Sequence, residues 1–146
     1  MNNFSHKNSL LYHARVIFID DHILFRNGVI DQILRPLFIS SDIIEIENGD
    51  NACDFIENEI KNKNKIDLII TDILHPGLTG NELVKHIRFY ERQYNNKLRI
   101  PIIVLSMVPQ TSYPELMADE IIDAYLSKGD KAEDIIMCLE GILKTN

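Results

Sequence analysis

Five short apolar runs, rich in β-branched residues and each giving way to polar ones, recur along the chain with helical segments between them. Arg15 to Ile19 reads RVIFI and runs straight into Asp20 and Asp21. Ile43 to Ile46 precedes a turn at Asn48, Gly49 and Asp50; Asp67 to Thr71, DLIIT, ends at Asp72. Ile102 to Leu105 ends at Ser106, and Ala124 to Leu126 ends at Ser127 and Lys128. Short continuous apolar runs suit strands buried on both faces. Such strands pair in parallel, and parallel pairing demands crossovers whose fixed hand covers both faces with helices. The pattern predicts one α/β domain on a five-stranded parallel sheet.

The intervening segments carry helical spacing. Ile23, Leu24, Val29, Ile30, Ile33 and Leu34 mark a first helix reaching Pro36, and a second runs from about Asn51 towards Lys63. A third begins near Asn81 after the loop punctuated by Pro76, Gly77 and Gly80. A short fourth is predicted from Thr111 to Ala118 with Pro114 near its start. Asp130 is expected to cap the last helix, whose apolar side carries Ile135, Ile136, Leu139, Ile142 and Leu143.

A length of 146 residues suits a single core. The net charge of −7 argues against direct nucleic-acid binding, which concentrates Lys and Arg to neutralise phosphates. No apolar stretch is long enough for a membrane span, and the Leu10, Leu11, Tyr12 patch is too short for a signal-peptide core. Cys53 and Cys138 lie far apart and read as buried free thiols, which fits an expected cytoplasmic location. Residues 1–14 are expected to form a flexible extension before a domain spanning 15–146.

Ligands of open parallel sheets bind outside the carboxyl ends of the strands. The strand readings put Asp20, Asp21, Asp72, Ser106 and Lys128 at such ends, on four strands. Singly, each has a structural reading: acids after strands cap helices, a serine there bonds backbone, and a lone lysine is solvated. Together they point to a site, because two carboxylates about 4 Å apart repel by about 4 kcal/mol at an effective dielectric of about 20. A divalent cation offsets that, and an all-oxygen environment favours Mg²⁺, which also binds phosphate. Lys128 and the Ser106 hydroxyl are suited to hold phosphoryl oxygens, and Asp72 is the natural carboxylate nucleophile.

In the order and identity of these residues the chain resembles the response-regulator receiver family, over roughly Arg15 to Leu143. The motifs are VIFIDDH at Val16 to His22, LIITDILHPGLTG at Leu68 to Gly80, IIVLSM at Ile102 to Met107 and AYLSK at Ala124 to Lys128. The resemblance implies a flavodoxin-like, doubly wound sheet of order 2-1-3-4-5. It implies that Asp72 accepts a phosphoryl group, that Asp21 and Asp72 ligate Mg²⁺ with the Leu74 carbonyl, and that Asp20 acts through water. It also implies that Ser106 shifts towards the phosphoryl group and that Tyr125 is the switch aromatic. The partners it implies are a histidine kinase or histidine phosphotransfer protein, a downstream output protein or domain, and in some members a second copy of the chain.

Departures from the family pattern shape further expectations. His75 replaces a usual methionine and opens a transition-metal alternative, although its expected direction is away from Mg²⁺. Met107 is bulkier than the small residue common there, and DEIID before Ala124 stands where a Gly-Ala turn is usual. The same residues leave three other functions open: an interaction module that works unphosphorylated, the regulatory part of a DNA-binding regulator, and a metal-dependent phosphohydrolase. The last lacks a substrate cap in the sequence.

Overall fold

The computed structural model describes residues 13–145. Its core is a five-stranded parallel sheet in the order β2-β1-β3-β4-β5, the predicted topology. The strands are β1 (His13–Ile19), β2 (Ser40–Ile46), β3 (Leu68–Thr71), β4 (Ile102–Ser106) and β5 (Ala124–Ser127). The expected extension lies outside the described residues as far as residue 12. His13 and Ala14, expected within it, instead open β1 and pair with Ser40 and Ser41.

Side chains of the central strands alternate between two buried faces. Val16, Phe18, Leu68, Ile70, Ile103 and Leu105 fill one face, while Ile17, Ile19, Ile69, Ile102 and Val104 fill the other. The first face is covered by α1, which begins at Ile23–Val29, and by α5 (Ala132–Thr145). The second is covered by α2 (Gly49–Lys61), α3 (Gly80–Gln93) and the short α4 (Glu115–Ala118). Cys53, buried, and Cys138, half-buried, are both free.

Proline shapes two helices differently from the sequence expectation. Pro36 has no N–H to offer, and its ring crowds the carbonyl four residues back. Helix α1 absorbs it by widening into π geometry over Ile30–Leu34, where the Arg35 N–H reaches Ile30 O. It then runs past the proline through Arg35–Leu37. The helix expected from Thr111 to Ala118 is broken: a 3₁₀ turn covers Gln110–Ser112, Tyr113 leaves helical geometry at φ −137°, and α4 is a single turn. A proline disfavours helical geometry in the residue before it, which accounts for Tyr113.

One cap follows the expected turn at Asn48 to Asp50 and one departs from expectation. Asn48 caps α2, its Oδ1 accepting from the N–H groups of Asp50 and Asn51. Asp130 does not cap α5; its carboxylate turns back to accept from the Ser127 N–H at 2.9 Å. After α4, Glu120 adopts a left-handed φ of 56°, the conformation that glycine occupies without steric cost. This is the DEIID segment, so the missing glycine leaves strain rather than a different turn. Glu120→Gly should therefore raise stability by up to about 1 kcal/mol, read as a higher urea midpoint with an unchanged m value.

Candidate functional site

The sheet register brings the strand ends to one level. Ile19 pairs with Thr71, Thr71 with Val104, and Ser106 with Ser127. The ladder continues one residue past each strand: Asp20 N–H donates to Ile46 O, Asp72 N–H to Ile19 O, and Lys128 N–H to Ser106 O. The backbones of three predicted site residues are thus held by the sheet itself.

Lys128 joins them. Its ammonium lies 2.8 Å from Asp20 Oδ2 and 2.7 Å from Asp72 Oδ2. The same ammonium sits 3.4 Å from His22 Nδ1 and 4.6 Å from the centre of the Phe25 ring, within cation–π range. Asp20 is 0% exposed, Asp72 6% and the Lys128 side chain 7%. Burial by itself would depress the lysine pKa, but hydrogen bonds and charge from Asp20 and Asp72 outweigh it, and the net shift is upward. A raised lysine pKa adds stability that is complete below the ordinary value of 10.5 and fades as pH rises through the native one. Lys128 is therefore charged at neutral pH.

Each carboxylate is also oriented by backbone. Asp20 Oδ1 accepts from His22 N–H at 2.8 Å, and Asp72 Oδ1 accepts from Ile73 N–H at 2.6 Å. Asp20 Oδ2 is buried and has no aligned hydrogen bond, so its one close partner is the lysine charge. Asp21 is exposed at the rim, and donor atoms of Asp20, Asp21 and His22 lie within 4.8 Å of one another. Three carboxyl groups against one ammonium leave a formal excess of two negative charges. An under-bonded buried carboxylate oxygen beside an exposed one, with that excess, fits a hard divalent cation that keeps several waters.

The other predicted residues fall around this centre. Ser106 is buried at the end of β4, its Oγ accepting from Val108 N–H at 3.1 Å. Tyr125 is half-buried, and its hydroxyl donates to Val108 O at 2.7 Å. Burial raises the Tyr125 pKa, a hydrogen bond from Ser106 opposes the rise, and Tyr113 and Asp72 add to it. Leu74 and Met107, which follow Asp72 and Ser106, point outward at 60% and 73% exposure, so Met107 is not packed. His75 turns from the acids and meets Thr71 Oγ1 at 3.2 Å, while that hydroxyl donates to Asp72 O. The ring is thus absent from the acid cluster.

Arg26, Phe25 and Thr71 were missed by the sequence reading. Arg26 is buried, and its guanidinium donates to the Asp20 carbonyl and, at 2.8 Å, to Glu45 Oε1. Its signal was positional: it stands three, four and seven residues before Val29, Ile30 and Ile33, on the apolar stripe of α1.

The family model for the response regulator receiver domain matches residues 16–140. The chain belongs to the response-regulator receiver family. It is 30% identical over 98 residues to the two-component response regulator ARR17 of Arabidopsis thaliana, covering 62% of this chain and 60% of that protein. It is 27% identical over 128 residues to ARR3 of the same plant, covering 84% and 52%. The receiver thus spans between half and two thirds of these relatives. Among solved structures, the receiver domain of the Arabidopsis thaliana histidine kinase CKI1 superposes with a TM-score of 0.75 at 20% identity, covering 99% of this chain and 97% of that one. At that identity the likeness speaks for the fold. Among the described residues, no helix of this receiver is long and apolar enough to cross a membrane.

The loop after Asp72 closes tightly on itself. Gly80 N–H bonds Ile73 O at 2.8 Å, and a Cβ on Gly80 would stand 2.0 Å from the Asp72 carbonyl oxygen. Gly80→Ala should cost about 1–3 kcal/mol or more, because the clash is with backbone, and its denaturant midpoint should fall accordingly.

Proposed function

We propose that this receiver takes a phosphoryl group from a phosphohistidine, on a histidine kinase or histidine phosphotransfer protein, onto Asp72. The observation that carries the reading is the Lys128 ammonium, at the end of β5, held between Asp20 Oδ2 and Asp72 Oδ2 at the ends of the neighbouring β1 and β3. A carboxylate oxygen of Asp72 forms the new P–O bond as the P–N bond to the donor imidazole breaks. The leaving imidazole keeps the electron pair. Catalysis of this kind is mostly positioning and neutralisation of charge on the equatorial oxygens.

In this reading Asp20, Asp21 and Asp72, with the Leu74 carbonyl, hold Mg²⁺. Bound there, the cation supplies positive charge to the phosphoryl oxygens. Lys128 keeps the two buried acids compatible with folding before the cation enters, and afterwards offers its ammonium to a phosphoryl oxygen. Ser106 would exchange the Val108 N–H for another phosphoryl oxygen. That exchange loosens Val108, whose carbonyl also receives the Tyr125 hydroxyl, and so supports Tyr125 as the reporter of phosphorylation. The product is a changed state of the receiver, read by an output protein or output domain. Residues 15–146 would be the unit that folds and switches, and a second copy docking on α1 and α5, or on α4, β5 and α5, is the dimer form of that output.

Incubation with acetyl phosphate and Mg²⁺ should add the mass of one phosphate, labile to hydroxylamine, and Asp72→Asn should abolish the gain. Lys128→Gln should slow uptake by about 10²-fold. Full uptake by the Asn variant would show that another residue is the acceptor. An unmodified wild-type chain at every donor and Mg²⁺ concentration would favour an interaction module that works unphosphorylated.

A further inference from the structure

The chemistry above leaves one buried charge beside the site unused. Arg26 extends its guanidinium from the first turns of α1 to the end of the sheet and meets three acceptors. One nitrogen donates to the Asp20 carbonyl, Nε donates to Glu45 Oε1 at 2.8 Å, and Nη2 lies 3.5 Å from Glu47 Oε1. Glu45 is on β2 and Glu47 directly follows it, so the fork ties the exit of β1 to the exit of the neighbouring strand.

Asp20 is held at every polar atom. Its N–H goes to Ile46 O, its Oδ1 accepts from His22 N–H, its Oδ2 faces Lys128, and its carbonyl is taken by Arg26. The last contact bears on Asp21. A peptide unit is planar, so fixing the direction of the Asp20 carbonyl fixes where the next Cα lies and how its side chain leaves the backbone. Asp21, exposed at the rim, has no comparable restraint of its own in the sheet. Lysine would be a poor substitute for Arg26, because a point charge cannot hold a carbonyl and a carboxylate in one rigid plane.

We propose that Arg26 is a positioning residue for the Asp20–Asp21 pair, setting the spacing at which the two carboxylates receive a divalent cation, with Glu45 and Glu47 holding the guanidinium in place. The inference rests on the Mg²⁺ reading of the site. It makes a prediction opposite in sign to simple electrostatics. A positive charge behind the acids repels a cation, so neutralising Arg26 would tighten Mg²⁺ binding if charge alone mattered. Positioning requires the reverse.

The test is calorimetric titration of the folded chain with Mg²⁺ alone, together with amide hydrogen exchange of the metal-free protein. Arg26→Gln should weaken Mg²⁺ binding about tenfold, and Arg26→Lys, which keeps the charge, should weaken it too. His22 N–H, which donates to Asp20 Oδ1, should exchange faster in both variants while amides of Ile69 and Ile103 keep their protection. Should Arg26→Gln fail to fold, Arg26→Lys carries the same readouts, since it keeps the buried charge opposite Glu45 and Glu47 and charge alone predicts no change in its Mg²⁺ affinity. Mg²⁺ binding that is unchanged or tighter in a folded variant, with a wild-type chain that binds, overturns the role of Arg26 and leaves the phosphoacceptor reading intact. A merely structural role would speed exchange at all core amides in step with stability and leave the affinity of the folded protein unmoved, which also overturns it. A wild-type chain that binds no Mg²⁺ overturns both readings.

Discussion

The bridge from Lys128 to Asp20 and Asp72 is the interaction on which this edge of the molecule depends. Two buried carboxylates at adjacent strand ends would repel each other, and no apolar rearrangement removes that cost while both stay ionised. One ammonium between them converts the repulsion into two short contacts. Its charge faces the Phe25 ring as well as the acids. The lysine is anchored in turn through its own N–H to Ser106 O, so the strand that delivers it also sets its reach. Without the ammonium the two acids lose the charge that offsets their repulsion. The same residue that suits phosphoryl chemistry thus also stabilises the metal-free fold.

Sheet register explains why such a bridge forms without long, flexible supports. Parallel pairing ends β1 and β3 together at Ile19 and Thr71, and β4 and β5 together at Ser106 and Ser127, and the ladder bonds of Asp20, Asp72 and Lys128 extend that order by one residue. A one-residue slip in any strand would move its terminal acid or lysine by about 3.3 Å and turn its side chain to the opposite face. The interdigitated isoleucines of the two cores resist that slip, because every slipped strand would exchange one buried set for the other. Site precision is in this sense a by-product of core packing.

What could be read from the sequence followed the range of the forces involved. Strand positions and the gathering of Asp20, Asp72 and Lys128 come from short continuous apolar runs and the residues that end them, which are local signals, whereas the sheet order comes from the resemblance to the family. The π-helical widening of α1 and the break of α4 were less legible, since Pro36 and Pro114 announce a disturbance but not how the neighbouring turns will accommodate it. Asp130 reads as a helix cap because an acid commonly precedes a helix; its real partner, the Ser127 N–H, is equally near in sequence, and only the turn geometry chooses between them. Arg26 was hidden for a different reason. Its partners lie on β2, about twenty residues away, and a charged residue on a helical stripe reads as solvated until a carbonyl and two acids are found to receive it.

The contacts at Val108 bear on how a change at the site can leave it. This one residue uses its N–H to hold Ser106 and its carbonyl to hold Tyr125, so the two side chains share a backbone segment. Immediately beyond it lie the 3₁₀ turn, the non-helical Tyr113 and the single turn of α4, tied by short-range turn bonds rather than by one continuous helical ladder. A longer helix there would have to move as a body. The 3₁₀ turn between Pro109 and Pro114 and the single turn of α4 after it can change locally, and the strained Glu120 at the exit of α4 lowers the cost of doing so. On the proposed phosphorylation of Asp72, such a segment would transmit a displacement of Ser106 over a short range, to Tyr113, Tyr125 and the loop that carries them. The surface altered by phosphorylation would accordingly be small and centred on the exit of β4, and a partner reading it would have to contact that loop rather than the length of a helix.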